Sequence, residues 1–386
     1  MSKNSSLTNF ITNVRSIYGE GFIPLHRPIF QGREREILVD VIDNNFVSSA
    51  GQQVSEFEQK IAEYTGAKYA IATVNGTAAL QVAMQLAGVQ RGDEVLTQAL
   101  SFIATCNAIS YLGAKPVFAD VDLDTMGLSP AAVRQFIQTN YEFQKGSWIN
   151  KTSGRRLGAI VPMHTFGHPA RIEELAALCD EFDVPLVEDS AESLGSTVDK
   201  QHTGTFGLLG AFSFNGNKII TTGGGGMIVT DDEEIAQRAK HLTTTAKVPH
   251  AYEFDHDEVG YNYRLPSLNA ALGIAQMERL DEMLEIKSKI AQRYRDHFAN
   301  TDVNFVDARE GTHPNFWLNA ICAKDKAERD LWLKETNENG VMTRPIWRLM
   351  TSLKMYSDCL HDGLENSRWL EERIVNIPSS VPEGHL

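Results

Sequence analysis

A chain of 386 residues, 42% hydrophobic and 22% charged, has the composition of a soluble globular protein with two or three domains. Its formal net charge of −14 leaves no broad basic field and excludes a general nucleic-acid binder. Four scattered cysteines (Cys106, Cys179, Cys322, Cys359) form no CxxC pair, and Met1–Phe10 is polar with no apolar run of membrane length. A cytoplasmic protein with reduced thiols and no membrane partner is therefore expected.

In chain order, strand-like and helical stretches alternate from about residue 54 to 245. Tyr69–Val74 reads as a strand, and Thr77–Gly88 as a helix with Leu80, Ala83, Met84 and Ala87 at helical spacing. Gly92–Thr97 is the next strand and leads to a helix over Ile103–Leu112. Lys115–Asp120, Leu157–Met163 and Pro185–Glu188 continue as strands, with Ile172–Phe182 a helix between the last two. Phe206–Phe214 and Gly226–Thr230 complete the set, followed by a helix over Glu233–His241. Such alternation predicts an α/β fold whose mostly parallel central sheet is sandwiched by helices. Gln138–Arg156, polar and partly basic, interrupts the pattern and reads as a solvated loop. Beyond about 255 a long amphipathic stretch (267–300, with room for a break), a strand within Asn315–Ala323 and a helix around Lys326–Asn339 predict a smaller α+β domain. The expected division is an N-terminal segment 1–30, a large domain 31–254 and a small C-terminal domain 255–386.

The residues with chemical potential fall at strand ends. Val184–Ser190 ends on an acidic pair that includes Asp189, and Lys218 closes the polar run Asn215-Gly-Asn-Lys218. A strand-end acid and a later lysine flanked by Ser, Asn and Gly are what a pyridoxal 5'-phosphate (PLP) enzyme needs: the lysine for a Schiff base, the acid to keep the pyridine nitrogen protonated. Asn75-Gly-Thr77, between a strand and a helix, offers free N–H groups and the positive end of a helix dipole to a phosphate. Gly223–Gly226 precedes a strand rather than opening a helix, so it is not a dinucleotide loop. His164 and His168 have an i, i+4 spacing, but Gly167 and Pro169 place them in a loop, and no metal site is expected. Phe102, at the start of a helix, reads from sequence alone as a core residue.

Taken together, NGTAAL, GDEVL, SFIATCNAI, GAKPVFADVD, VPMHTFGHPA, PLVEDSAESLG, GAFSFNGNK, GGGGMIVTDD and GYNYRLPSLNAALG resemble, in this order over about residues 24–280, the DegT-type nucleotide-sugar aminotransferases. These are fold-type I PLP enzymes. The variants EDSAESLG, FNGNKIITTGGGG, LTTTAKVPH and HDEVGYNYR are most similar to the branch that aminates C4 of UDP-4-keto-6-deoxy-N-acetylhexosamines for bacillosamine and legionaminic acid. The resemblance implies that Lys218 forms the internal aldimine and shuttles the proton, with Asp189 on the pyridine nitrogen and Phe102 stacked on the ring. Gly76, Thr77 and Ser213 would hold the phosphate, and Asn262 would reach the phosphate of a partner subunit's cofactor, making the active unit a homodimer. Glu192 stands where many relatives carry Gln or His near the cofactor's phenolic oxygen. The implied reaction is ping-pong transfer from L-glutamate to a nucleotide sugar in bacterial surface glycan synthesis. Related dehydratases carry histidine in place of Lys218. His313, Asn315, Trp317 and Arg344, in a polar and aromatic cluster, are the candidate sugar contacts.

Overall fold

The computed structural model describes residues 3–384 except residue 50. Seven strands build the central sheet: β1 (Tyr69–Thr73), β2 (Glu94–Gln98), β3 (Lys115–Ala119), β4 (Leu157–Val161), β5 (Val187–Asp189), β6 (Leu209–Ser213) and β7 (Gly226–Thr230). Their spatial order is β3-β2-β4-β5-β6-β7-β1. The pairs β3–β2, β2–β4 and β5–β6 are parallel, and β7 runs antiparallel to both neighbours. Single parallel bridges, Ile160 to Leu186 and Met163 to Asp189, join β4 to β5.

The two-residue pleat explains why these strands are apolar throughout. On one face Val95, Val161, Val187, Ala211 and Ile228 pack against Ala79, Leu80 and Ala83 of the helix Gly76–Leu86. The alternate residues face the other way. Phe212, Met227 and Val229 meet Phe57 and Ile61 of the helix Gln52–Thr65 and Ile274 of Ser267–Met277, while Leu96, Val117 and Ile160 meet the helices Pro130–Asn140 and Ile172–Phe182. Helices thus cover both faces of the sheet, and a one-residue slip would exchange the faces of these side chains.

A second, four-stranded antiparallel sheet lies toward the C-terminus: β8 (Asn304–Phe305), β9 (Asn319–Cys322), β10 (Arg344–Pro345) and β11 (Ile374–Ile377), in the order β8-β9-β11-β10. Its core, Ile321, Trp332, Val375 and Ile377, includes Ile290, Tyr294 and Phe298 of the helix Leu280–Phe298. It also includes Leu7, Phe10 and Val14 of the first helix, Lys3–Tyr18. The long stretch expected from 267 to 300 is broken after Met277 into two helices. The first packs on the large sheet's side and the second on the small sheet's.

Two expectations need correction. The strand expected over Phe206–Phe214 begins only at Leu209, because the N–H groups of Phe206 and Gly207 donate to Glu188 Oε1 (2.7 and 2.8 Å) rather than to a ladder. Gln138–Arg156 is no plain loop: Tyr141–Gln144 and Ser147–Asn150 form a hairpin. It is anchored on the buried Glu94, whose carboxylate accepts from Tyr141 Oη (2.5 Å), Asn150 Nδ2 (2.9 Å) and Ser153 Oγ (2.8 Å). Glu94 opens β2, so the hairpin sits at the sheet edge opposite the strand C-termini.

Candidate active site

The C-terminal ends of the parallel strands converge on one cavity of about 300 Å³, where an open α/β sheet ordinarily takes its ligand. Residues from β5, β6 and the β1–helix turn meet there because of register. Asp189 lies opposite Ala211, and Gly226 of β7 lies opposite both Thr73 and Ser213, which draws Asn75–Thr77 against Ser213.

The turn after β1 is a helix start with unspent donors. Asn75 caps it, its Oδ1 accepting from Ala78 N at 2.8 Å, a bond of a type worth about 1 kcal/mol. The N–H groups of Gly76 and Thr77 precede the first intrahelical bond, that of Ala79 to Asn75 O, and both residues line the cavity. Small residues are obligatory here. A Cβ at Gly76 would stand 2.7 Å from Ser213 Cβ, and one at Gly226 only 2.5 Å from the Asn75 carbonyl.

Asp189 is buried at the cavity floor. Its Oδ2 accepts from Thr105 Oγ1 at 2.6 Å and its Oδ1 from Ala191 N at 3.2 Å. Burial raises its pKa above the ordinary carboxylate range against these two bonds and the nearby Lys218 charge, so the group gains from a positive partner in the cavity. Glu192 is also buried. Burial pushes its carboxyl up to about 6, opposed by Lys218 and by the Phe166 N–H that donates to its Oε2 at 2.9 Å.

Lys218 Nζ lies 3.4 Å from Glu192 Oε1 and 4.2 Å from the centroid of the Trp317 ring. Trp317 is fixed in turn: its indole N–H donates to Asn217 O at 2.6 Å and its backbone N–H to Asn315 Oδ1 at 2.7 Å.

Gly76, Thr77, Phe102, Asp189, Glu192, Ser213, Lys218 and Trp317 therefore line a single cavity. Phe102 is not a core residue. Its ring is 49% exposed at the cavity, 6.5 Å from that of Trp347, because it caps the helix Ile103–Tyr111 from outside and its side chain turns away from the sheet.

The remaining candidates are placed elsewhere. Asn315 spends its amide on the carbonyls of Glu192 (2.8 Å) and Leu194 (2.9 Å), behind the wall. His313 is exposed on a short strand paired with Thr197–Val198, and Arg344 is exposed and bonded to Asn337 Oδ1 (3.0 Å). Asn262 is exposed outside its own cavity, with its Oδ1 accepting from Arg264 Nε at 3.1 Å. His164 is paired with the buried Glu188 through Nε2 (3.0 Å) and accepts from Ala170 N through Nδ1 (3.2 Å), while the His168 ring packs on Phe316.

Sequence reasoning missed Met163, Asn215, Asn217, Thr105 and Trp347. Asn215 and Asn217 flank the lysine and were legible by adjacency. Trp347 carries no local signal, since it reaches the cavity from an irregular segment after β10.

A partly buried lysine, a buried carboxylate that gains from a positive partner and a glycine-walled helix start fit pyridoxal phosphate, and they define a PLP-dependent enzyme of fold-type I. Comparison with known proteins narrows the class. The chain belongs to the DegT/DnrJ/EryC1/StrS aminotransferase family, whose pattern it matches over residues 28–382. It is 34% identical to EpsN of Bacillus subtilis (strain 168), described as a pyridoxal phosphate-dependent aminotransferase, over 94% of this chain and 91% of that one. It is also 34% identical to GDP-perosamine synthase of Escherichia coli O157:H7, over 93% of each. Among solved structures it is similar to the aminotransferase TlmJ of Streptoalloteichus hindustanus, with a TM-score of 0.84 and 28% identity over 93% of this chain and 94% of that one. It is a sugar aminotransferase of this family and uses PLP.

Proposed function

We propose that this enzyme transfers an amino group from L-glutamate to C4 of a 4-keto-6-deoxy nucleotide sugar. The acceptor in this reading is UDP-2-acetamido-4-keto-2,6-dideoxyglucose, and the product serves a bacterial surface glycan made from the cytoplasmic side. The observation that carries the chemistry is the placement of Lys218 Nζ beside Glu192 in the cavity that Asp189 also lines. The cofactor, when bound, supplies a carrier for the amino group and a sink for electrons.

This chain's residues supply the rest. Lys218 Nζ moves a proton to and from the carbon that gains or loses the amine, C4 of the sugar in the second half-reaction. Asp189 holds the proton on the pyridine nitrogen, its burial making that pairing favourable. The N–H groups of Gly76 and Thr77 and the Ser213 hydroxyl bind the phosphate, with the helix dipole behind them. Phe102, exposed at the cavity, offers a flat face to the ring.

We further read the active unit as a homodimer. Asn262 is exposed and does not line its own cavity, and the neighbouring segment exposes Tyr252, Phe254 and Val259, each at least 80% accessible, which suits burial against a second copy. No helix among the described residues is long and apolar enough to cross a membrane.

The UDP acceptor rests on motif likeness, and the relatives named GDP-perosamine synthase support a second reading in which the sugar is GDP-linked. A panel of UDP-, GDP- and dTDP-linked 4-keto-6-deoxy sugars with L-glutamate, read by mass spectrometry of the aminated product, separates them. The highest kcat/KM with the UDP-N-acetyl sugar is expected. A preference for the GDP sugar would replace the first reading with the second, and no transfer to any of them would overturn both.

A further inference from the structure

Lys287 lies outside the cavity and has no part in the chemistry above, yet its side chain is buried on the helix Leu280–Phe298. Its ammonium donates to the backbone carbonyls of Trp317 (3.2 Å) and Ser379 (2.5 Å). Among the described residues no carboxylate lies within ion-pair distance of it, and burial alone pushes its pKa down to about 7. The nearby His26 supplies no counter-charge: its ring is 6.4 Å from that of Trp317, and burial with the charges of Lys287 and Lys218 holds its pKa well down. A buried ammonium without a counter-charge is costly, so Lys287 at this place asks for a reason beyond anchoring the Ser379 carbonyl.

The bonds around Trp317 supply one. Its carbonyl is held by Lys287, its backbone N–H by Asn315, and its indole N–H by the carbonyl of Asn217, the residue before Lys218. The ring so fixed stands 4.2 Å from Lys218 Nζ. An indole face at that distance favours the charged form of the nitrogen in front of it. We propose that Lys287 is a positioning residue for Lys218: by clamping the Trp317 carbonyl it fixes the aromatic face that, beside the Glu192 carboxylate 3.4 Å away, favours the charged form of the Lys218 nitrogen.

This rests on reading Lys218 as the lysine that carries the cofactor, and the test keeps the two apart. Full-length protein reconstituted with PLP is titrated with base, and the pH midpoint of its visible band is recorded. Trp317→Leu removes the face directly and is expected to lower that midpoint by about 0.5–1.5 units, the range an aromatic face contributes. Lys287→Met, which keeps the length and apolar bulk of the stem, should lower it in the same direction, and the double variant should shift no further than Trp317→Leu alone.

A lysine that only anchors Ser379 would lower the melting temperature of Lys287→Met and leave the midpoint in place, which would overturn the proposal. An unchanged midpoint in Trp317→Leu overturns it whether or not Lys287→Met folds. A wild-type protein that forms no visible band with PLP would instead remove the reading of Lys218 on which the inference stands.

Discussion

At the scale of single residues, the cavity holds two carboxyls that one base serves unequally. Glu192 touches Lys218 directly, whereas Asp189 is hydrogen-bonded to Thr105 and Ala191 below it. Removing the amine takes away both the Schiff-base nitrogen and the proton carrier, so Lys218→Ala is expected to lower turnover by about 10⁴-fold. Multiple turnovers at an undiminished rate would mean that the proton carrier lies elsewhere.

The Glu192 carboxyl makes a separate, thermodynamic prediction. Its pKa in the fold is about 6, above the ordinary 4.5, so the folded state binds its proton more tightly than the unfolded chain does. The associated stability is fully present below about pH 4.5 and is lost as pH rises through about 6. It amounts to about 2 kcal/mol, from 1.36 kcal/mol per unit. Glu192→Gln removes that dependence. The stability of the cofactor-free variant relative to wild type should therefore rise by about 2 kcal/mol between about pH 4.5 and 7. Denaturant unfolding at several pH values measures it, and a constant difference across the window would show that burial does not penalise this carboxylate.

At the scale of elements, the phosphate cradle is a property of three backbones in contact rather than of one motif. Only glycine fits at 76 because a Cβ there would strike Ser213, and only glycine at 226 because a Cβ there would strike the Asn75 carbonyl. Gly76→Ala must displace Ser213 from the cavity wall and is expected to weaken PLP binding about tenfold or more while leaving the far side of the sheet intact. Titration of cofactor-free protein with PLP, followed by quenching of tryptophan fluorescence, gives the affinity; an unchanged value would place the phosphate elsewhere.

The same elements show what sequence could reveal. The β1–helix turn, Asp189 at the end of β5 and Lys218 after β6 were legible because each is a local pattern: an N-cap with small residues, an acid closing an apolar run, a lysine in a polar turn. Apolarity alone reads Phe102 as core, because it does not state which way a helix-capping residue points; the family resemblance is what puts it at the cofactor ring. Asn315 and Trp317, two residues apart, could not be told apart from sequence. Only the fold shows one bonded to carbonyls behind the wall and the other facing Lys218. Trp347 was invisible because its approach depends on how the small sheet docks.

At the scale of the whole molecule, the cavity lined by one chain does not include Asn262. Asn262 is exposed on its own chain, in a stretch whose neighbours Tyr252, Phe254 and Val259 are among the most exposed apolar side chains described. If a second copy covers that stretch, the two defects Lys218→Ala and Asn262→Ala fall on different sites of a mixed dimer. A subunit with Lys218→Ala still offers its intact Asn262 to its partner, and a subunit with Asn262→Ala still carries an intact Lys218. In an equal mixture half of the dimers are mixed, and in each of these one site carries both lesions and the other carries none. Two preparations that are separately inactive or weak should therefore recover about a quarter of wild-type activity after unfolding and refolding together. The recovery should grow with time if subunits also exchange under native conditions. Mixed refolding that gives only the average of the two separate preparations would mean that Asn262 acts within its own chain, and the shared-site dimer would have to be abandoned.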